Sequence, residues 1–219
     1  MRIPYLPVVL VQITVALGAC ASAPDAVPDS VPDSVSDSVS DSAPGSTSDS
    51  KAPSEYLDQT TAATITVVAK PLVFAHERPE LAAHARDYVT LAAASVNRSG
   101  TIEYYIFAYL WSTVDNRNRS GVPPTADTLT IAADDRRITP QLAGHSSQEA
   151  GVGTAVRAPP GHHWTLNVYK TDIATLGFIA ESRQLTVITG ATEGPVTYEP
   201  WDDQRRALRG LVRRLQGQD

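Results

Sequence analysis

At 219 residues, with 24 acidic against 18 basic side chains and a formal charge of −6, the chain offers no basic face of the kind nucleic acid requires. A single cysteine excludes an intramolecular disulfide, and a 42 % share of hydrophobic residues is enough for one sizeable core. The charge is unevenly placed: residues 21–55 hold six Asp and Glu55 against Lys51 alone, so the acidity belongs to this tract and residues 56–219 are close to neutral.

Met1-Arg2 supplies one positive charge, and residues 3–16 are apolar apart from Gln12, Thr14 and the prolines Pro4 and Pro7. The run is short of the about 20 apolar residues that a spanning helix needs, and its prolines weaken it further. Small residues then lead to the lone cysteine in Leu17-Gly18-Ala19-Cys20. This segment resembles the lipobox of bacterial lipoproteins. The resemblance implies a signal peptide over residues 1–19, a diacylglycerol on the Cys20 thiol, and a further fatty acyl chain (palmitate) on the freed amine. Two or three such chains hold a protein stably on a bilayer, at about 0.8 kcal/mol per buried methylene. Ala21 stands where an aspartate retains lipoproteins in the inner membrane, which implies an outer-membrane protein whose domain faces the periplasm. In a bacterial envelope Asn97-Arg98-Ser99 and Asn118-Arg119-Ser120 lose their reading as glycosylation acceptors and mark turns.

Residues 20–55 are read as a lipidated cysteine followed by a disordered tether. Four tandem tetrapeptides run from Val27-Pro28-Asp29-Ser30 to Val39-Ser40-Asp41-Ser42, and a Ser/Pro/Gly/Thr tract follows. Valine is the only bulky aliphatic there, so the segment buries too little surface to offset its ordering entropy. As a coil it spans roughly 30 Å, and its repelling aspartates extend it.

Residues 56–219 make a single β-rich domain. Residues 62–74 are rich in β-branched side chains and broken by Pro71, which predicts two short strands or one bulged edge strand. Residues 77–85 form a helical turn or a loop. Two long strand patterns, 87–96 and 101–113, flank Asn97-Arg98-Ser99-Gly100 and predict an antiparallel hairpin. Strands follow at 128–132 and 137–142 around a turn at Asp134-Asp135-Arg136, and at 164–169. Asp172 then caps a helix whose Ile173, Leu176, Ile179 and Ala180 share one face. Strands return at 185–188 and 196–198. Asp202 or Asp203 caps a last helix, amphipathic through Leu208, Leu211, Val212 and Leu215. The fold class is mainly β (α+β): an antiparallel, β-sandwich-like domain with a short helix and a C-terminal amphipathic helix.

The strand at 101–113 carries the candidate interaction face. Its odd positions Tyr105, Phe107, Tyr109 and Trp111 are aromatic, while its even positions are mostly aliphatic. A strand apolar on both faces is normally covered on both, by the last helix or a second sheet here. Left open, the aromatic face would suit a glycan or a protein.

Metal and cofactor chemistry is not expected. His76 and His84 are eight residues apart with Pro79 between, which cannot make a one-turn zinc clamp. His145, His162 and His163 lie in or beside a Gly/Pro/Ala-rich loop. No Gly-x-Ser-x-Gly elbow occurs, and the adjacent pairs Asp134-Asp135 and Asp202-Asp203 suit turns and caps better than acid–base work. Arg205, Arg206, Arg209, Arg213 and Arg214 line the last helix opposite its leucines, either as a solvated face or as a contact for anionic lipid or cell-wall polymer. The roles that follow are a non-catalytic accessory protein of envelope assembly or secretion and a binding module for an envelope ligand or glycan. A hydrolase has the least support. The expected partners are the bilayer, through acylated Cys20, and an envelope protein or glycan.

Replacing Cys20 with Ser should move the protein from the membrane pellet to the soluble fraction. Mass spectrometry should show acyl chains on the mature wild-type N-terminus. Retention of C20S on membranes would mean a different anchor.

Overall fold

The structure, a computed structural model, describes residues 52–114, 128–161, 163–191 and 194–217. The leader, the tandem repeats, Asn118-Arg119-Ser120 and His162 lie outside the described residues. In chain order the first strands are β1 (Ser54–Asp58), β2 (Ala63–Val67), β3 (Leu72–Glu77), β4 (Arg86–Arg98) and β5 (Thr101–Ser112). Then come β6 (Leu129–Ala133), β7 (Arg136–Ile138), β8 (Gln141–Gly144) and a 3-10 turn at Ser147–Ala150. The remainder is β9 (Trp164–Thr171), α1 (Ile173–Glu181), β10 (Leu185–Ala191), β11 (Gly194–Asp202) and α2 (Arg205–Leu215).

The β4–β5 hairpin is the axis of the domain, paired in unbroken register from Asp87↔Ser112 to Arg98↔Thr101. Its turn forms because Ser99 and Gly100 adopt φ of 51° and 90°, and the Asn97 side-chain oxygen accepts from the Gly100 N–H at 3.0 Å. Around it the strands form one eleven-stranded sheet in the order β7-β6-β10-β11-β3-β4-β5-β9-β8. Every pairing is antiparallel, and the sheet is curled. The long β4 serves two partners on one edge. Its first half pairs with β3, and Ala94 to Asn97 pair with β2, which carries β1 outside it.

The two faces of the hairpin are covered by different material. Leu176 and Ile179 of α1 and Leu208 of α2 meet Leu91, Ala93 and Ile106 around a residual apolar cavity of about 20 Å³. Asp172 starts α1 by accepting from the Thr175 N–H at 2.7 Å, as its place in the sequence predicts. On the opposite face the cover is neither helix nor second sheet. It is the segment after the 3-10 turn, where Ala150, Val152 and Val156 are buried and the Tyr109 hydroxyl donates to the Val156 carbonyl at 2.7 Å.

That cover corrects the reading of Tyr105, Phe107, Tyr109 and Trp111 as an interaction face. Tyr105, Phe107 and Tyr109 are 5 %, 0 % and 0 % exposed and belong to the core, and Trp111 alone is half-buried. Large rings supply the area that this side of a two-faced strand has to bury.

Other boundaries moved for local reasons. The strand expected over 137–142 is split into β7 and β8 around Pro140, which has no N–H for a ladder. β1 starts at Ser54, inside the tract read as tether. The polar strand β11 runs from Gly194 to Asp202, well beyond 196–198, and its register with β3 shifts between Pro200 and Asp202. The N-cap position of α2 is Gln204, whose side chain makes no cap bond; Asp203, one residue earlier, accepts from the Arg205 N–H at 3.2 Å and pairs with the Arg205 guanidinium.

Leu211 is fully buried beneath α2, so Leu211→Ala should cost about 2–5 kcal/mol of unfolding free energy. The 63 % exposed Leu57 should tolerate Ala within about 0.5 kcal/mol. Urea titration followed by far-ultraviolet circular dichroism measures both.

Candidate functional site

Strand β9 is paired on one side along its length, from Thr171 opposite Tyr104 to Trp164 opposite Trp111. On the other side β8 accompanies it only from Lys170 to Val168, because the chain leaves the sheet at Gly144. It makes the 3-10 turn, crosses the aromatic face and returns to Trp164. The detour opens a groove of about 830 Å³ between the edge at Trp164–Asn167 and a wall of His145 to Gln148 and Gly153 to Ala155.

The wall is held from several directions. Glu149 Oε2 accepts from the His145 N–H at 2.5 Å, the Ser146 N–H at 2.8 Å and the Ser146 hydroxyl at 3.1 Å, which completes a capping box. These donors hold the Glu149 carboxyl below its usual range, the His145 N–H contributing most. Gly151 ends the turn at φ 66°, and a Cβ there would run into the Arg98 guanidinium, which donates to the Ala150 carbonyl. Asp58, at the end of β1, accepts from the Gly153 N–H and from the Thr60 N–H at 2.9 Å. Arg157 reaches the Val68 carbonyl at 3.0 Å and the Ser54 hydroxyl at 2.9 Å. The covering segment is thereby bolted to β1, to β4 and to the link after β2.

At the groove, His145 Nδ1 lies 2.8 Å from the side-chain oxygen of Asn167. The Asn167 amide nitrogen donates to the Tyr169 hydroxyl at 3.3 Å, which ties the buried amide to its own strand. Asn167 is 3 % exposed, whereas the His145 ring is exposed. This pairing was not foreseen. Its one sequence signal is Asn167 itself, a polar side chain inside the strand pattern Trp-Thr-Leu-Asn-Val-Tyr.

The other singled-out residues are dispersed. His76 contacts the Thr197 carbonyl at 3.0 Å, His84 sits in a loop at φ 72°, and His163 is exposed. Among the described residues no three His, Cys, Asp or Glu side chains gather at metal-binding distance. Asp134 accepts from the Arg183 and Gln184 N–H groups at 2.8 Å, the work of a turn. Of the helix arginines, Arg205, Arg209 and Arg214 pair with Asp203, Glu181 and Glu55, while Arg206 and Arg213 are exposed.

All three tryptophans share one region of the aromatic face. Trp111 stands opposite both Tyr88 and Trp164 in register, stacked on Tyr88 with centroids 4.1 Å apart. Trp201, at the irregularity of β11 and 56 % exposed, meets Tyr88 edge-on at 6.0 Å, and the Arg86 guanidinium lies 4.6 Å over its ring.

The Asp58 contact yields an acid-sensitive expectation. The Gly153 N–H is the largest influence holding the Asp58 carboxyl below 3.8. A group depressed in the folded state stabilises it above the unfolded value, and that contribution is lost as pH falls through the folded one. Protection of the Gly153 amide against hydrogen exchange should hold down to about pH 4 and collapse below it. In Asp58→Asn protection should be lower throughout and lack that acid step; an unchanged profile would remove Asp58 as the fastening.

Comparison with family models, curated proteins and solved structures finds no match to this chain.

Proposed function

We propose that this chain is a lipid-anchored protein of the bacterial envelope whose β-rich domain is a non-catalytic interaction module, in envelope assembly or secretion. Cys20, within its lipobox-like segment, supports the anchor, and Ala21 supports an outer-membrane address with the domain facing the periplasm. The observation that carries the interaction role is the groove beside β9: walls fixed by hydrogen bonds to three other strands or their links, and a mostly apolar lining interspersed with hydroxyl and amide groups. Its polar groups are engaged in support more than in chemistry. The Ser146 hydroxyl and the Glu149 carboxylate close a capping box, and the His145 ring leans on Asn167 instead of on a nucleophile.

A second reading rests on the tryptophans. Trp201 is exposed and Trp111 and Trp164 are half-buried, which puts aromatic surface near the Arg86 guanidinium, a combination suited to sugar rings. In this form the glycan alternative shifts from Tyr105, Phe107 and Tyr109 to residues nearer the solvent.

Full-length lipidated protein, crosslinked in intact envelopes and recovered by affinity, should bring down a partner protein. Ala155→Trp, a bulky change at an exposed position of the groove wall, should reduce that recovery about tenfold. Recovery of nothing above background would end the interaction reading. Binding to an oligosaccharide array that Trp201→Ala abolishes would favour the glycan reading.

A further inference from the structure

We propose that the edge of β9 at Trp164 and Leu166, which no strand among the described residues pairs on the side away from β5, receives an extended peptide segment of a partner protein as an added strand, collinear with β8 and continuing the ladder that β8 begins. The inference rests on the groove being a binding site and specifies what enters it.

The first support is geometric. Residues Trp164, Thr165, Leu166 and Asn167 are held in regular strand conformation by β5, and the register of β8 stops one residue short of them, at Val168. Alternate residues of an antiparallel strand turn both N–H and C=O to the same side. Two of these four therefore direct their backbone groups away from β5, into the groove. Backbone donors and acceptors at strand spacing are matched by another extended backbone, the interaction used in strand addition. The four residues cover roughly 13 Å, a length suited to a short linear segment.

The second support is the contrast with the other margins of the sheet, of which β1 carries the charged Glu55 and Asp58. Exposed edges invite unwanted pairing, and proteins blunt them with short strands, charges or irregular geometry. β7 has only three residues, with Arg136 and Arg137 among them, and β8 is short with a register shift between Leu142 and Gly144. The 164–167 stretch carries no charge, no proline and no register shift. Instead it faces the wall of His145 to Gln148 and Gly153 to Ala155, which leaves a groove of about 830 Å³ beside the edge.

The third support is chemical. Among the described residues His145 is the one titratable group that lines the groove, and no lysine or arginine stands there to attract a phosphate or an acidic polymer. What the edge presents is alternation. Trp164 and Leu166 stand on the aromatic face, and Thr165 and Asn167 stand on the other. The Thr165 hydroxyl is shielded from solvent and has no partner among the described residues. An added strand would meet an apolar neighbour on one side and hydroxyl and amide neighbours on the other, a pattern that selects alternating side chains.

The test uses the full-length protein in detergent micelles and phage-displayed random dodecapeptides as the probe. Enriched peptides are synthesised and N-methylated one position at a time. Binding should weaken at least tenfold at every second position across the core of the peptide. Residue-resolved hydrogen exchange should show new protection at two alternating amides among 164–167. Ala155→Trp should lose peptide binding while its melting transition stays with the wild type; the N-methyl scan and the exchange measurement need no variant. Failure to enrich any peptide, protection that maps away from β9, or N-methyl effects without a period of two would each overturn the proposal. So would saturable oligosaccharide binding lost in Trp164→Ala with no peptide bound. If a partner is still recovered from crosslinked envelopes in that event, the interaction reading survives and only the added strand falls; if none is recovered, both fall.

Discussion

Between residues 87 and 111 the hairpin of β4 and β5 directs apolar side chains to both sides of the sheet, and a strand pair of that composition has to be covered twice. Each large side chain moved out of water is worth about 1.5–3 kcal/mol. Leaving either face wet would forfeit several such contributions, against a total stability of only about 5–15 kcal/mol for a typical domain. The aliphatic face is met by α1 and α2 through Leu176, Ile179 and Leu208. The aromatic face is met by an irregular segment with little secondary structure to stiffen it. That segment depends on Asp58, Arg98 and Arg157 for its place. The groove is a by-product of this second cover, because the chain has to leave β8 early in order to cross.

Local signals were legible where a residue type dictates its own backbone. Asn97 and Gly100 identify the hairpin turn, Asp172 identifies the start of α1, and the spacing of Leu208, Leu211 and Val212 gives the buried stripe of α2. The mainly β, antiparallel class follows from the density of strand patterns, and the structure shows it. The identity of the second cover was not legible. Ala150, Val152 and Val156 are spaced like neither helix nor strand, and the glycines and prolines around them read as exposed loop. Their burial depends on contacts 47 to 95 residues away in sequence, such as Val156 with Tyr109 and Gly153 with Asp58.

The candidate site was hidden for the same reason. Where a ladder ends is a property of pairing, and nothing in the sequence of β9 states that β8 stops at Val168. The tryptophan grouping likewise needs the register of β4, β5 and β9 before Tyr88, Trp111 and Trp164 fall into line. The histidines illustrate the converse. Composition brings five to notice, yet among the described residues only His145 meets a buried partner in the groove, and an asparagine makes that contact.

The order of elements along the chain carries a consequence for biogenesis. α2 follows every strand in sequence, yet it seals the aliphatic face of a hairpin that precedes it by about a hundred residues. Until α2 arrives, Leu91, Ala93 and Ile106 have only part of their cover. A polypeptide arrested before residue 205 would therefore display a sticky, partly clad sheet, the kind of surface on which holding chaperones and degradative proteases act. Arg214 adds a closing latch, pairing with Glu55 across 159 residues of sequence, so that the end of the helix meets the first strand only once the domain is complete.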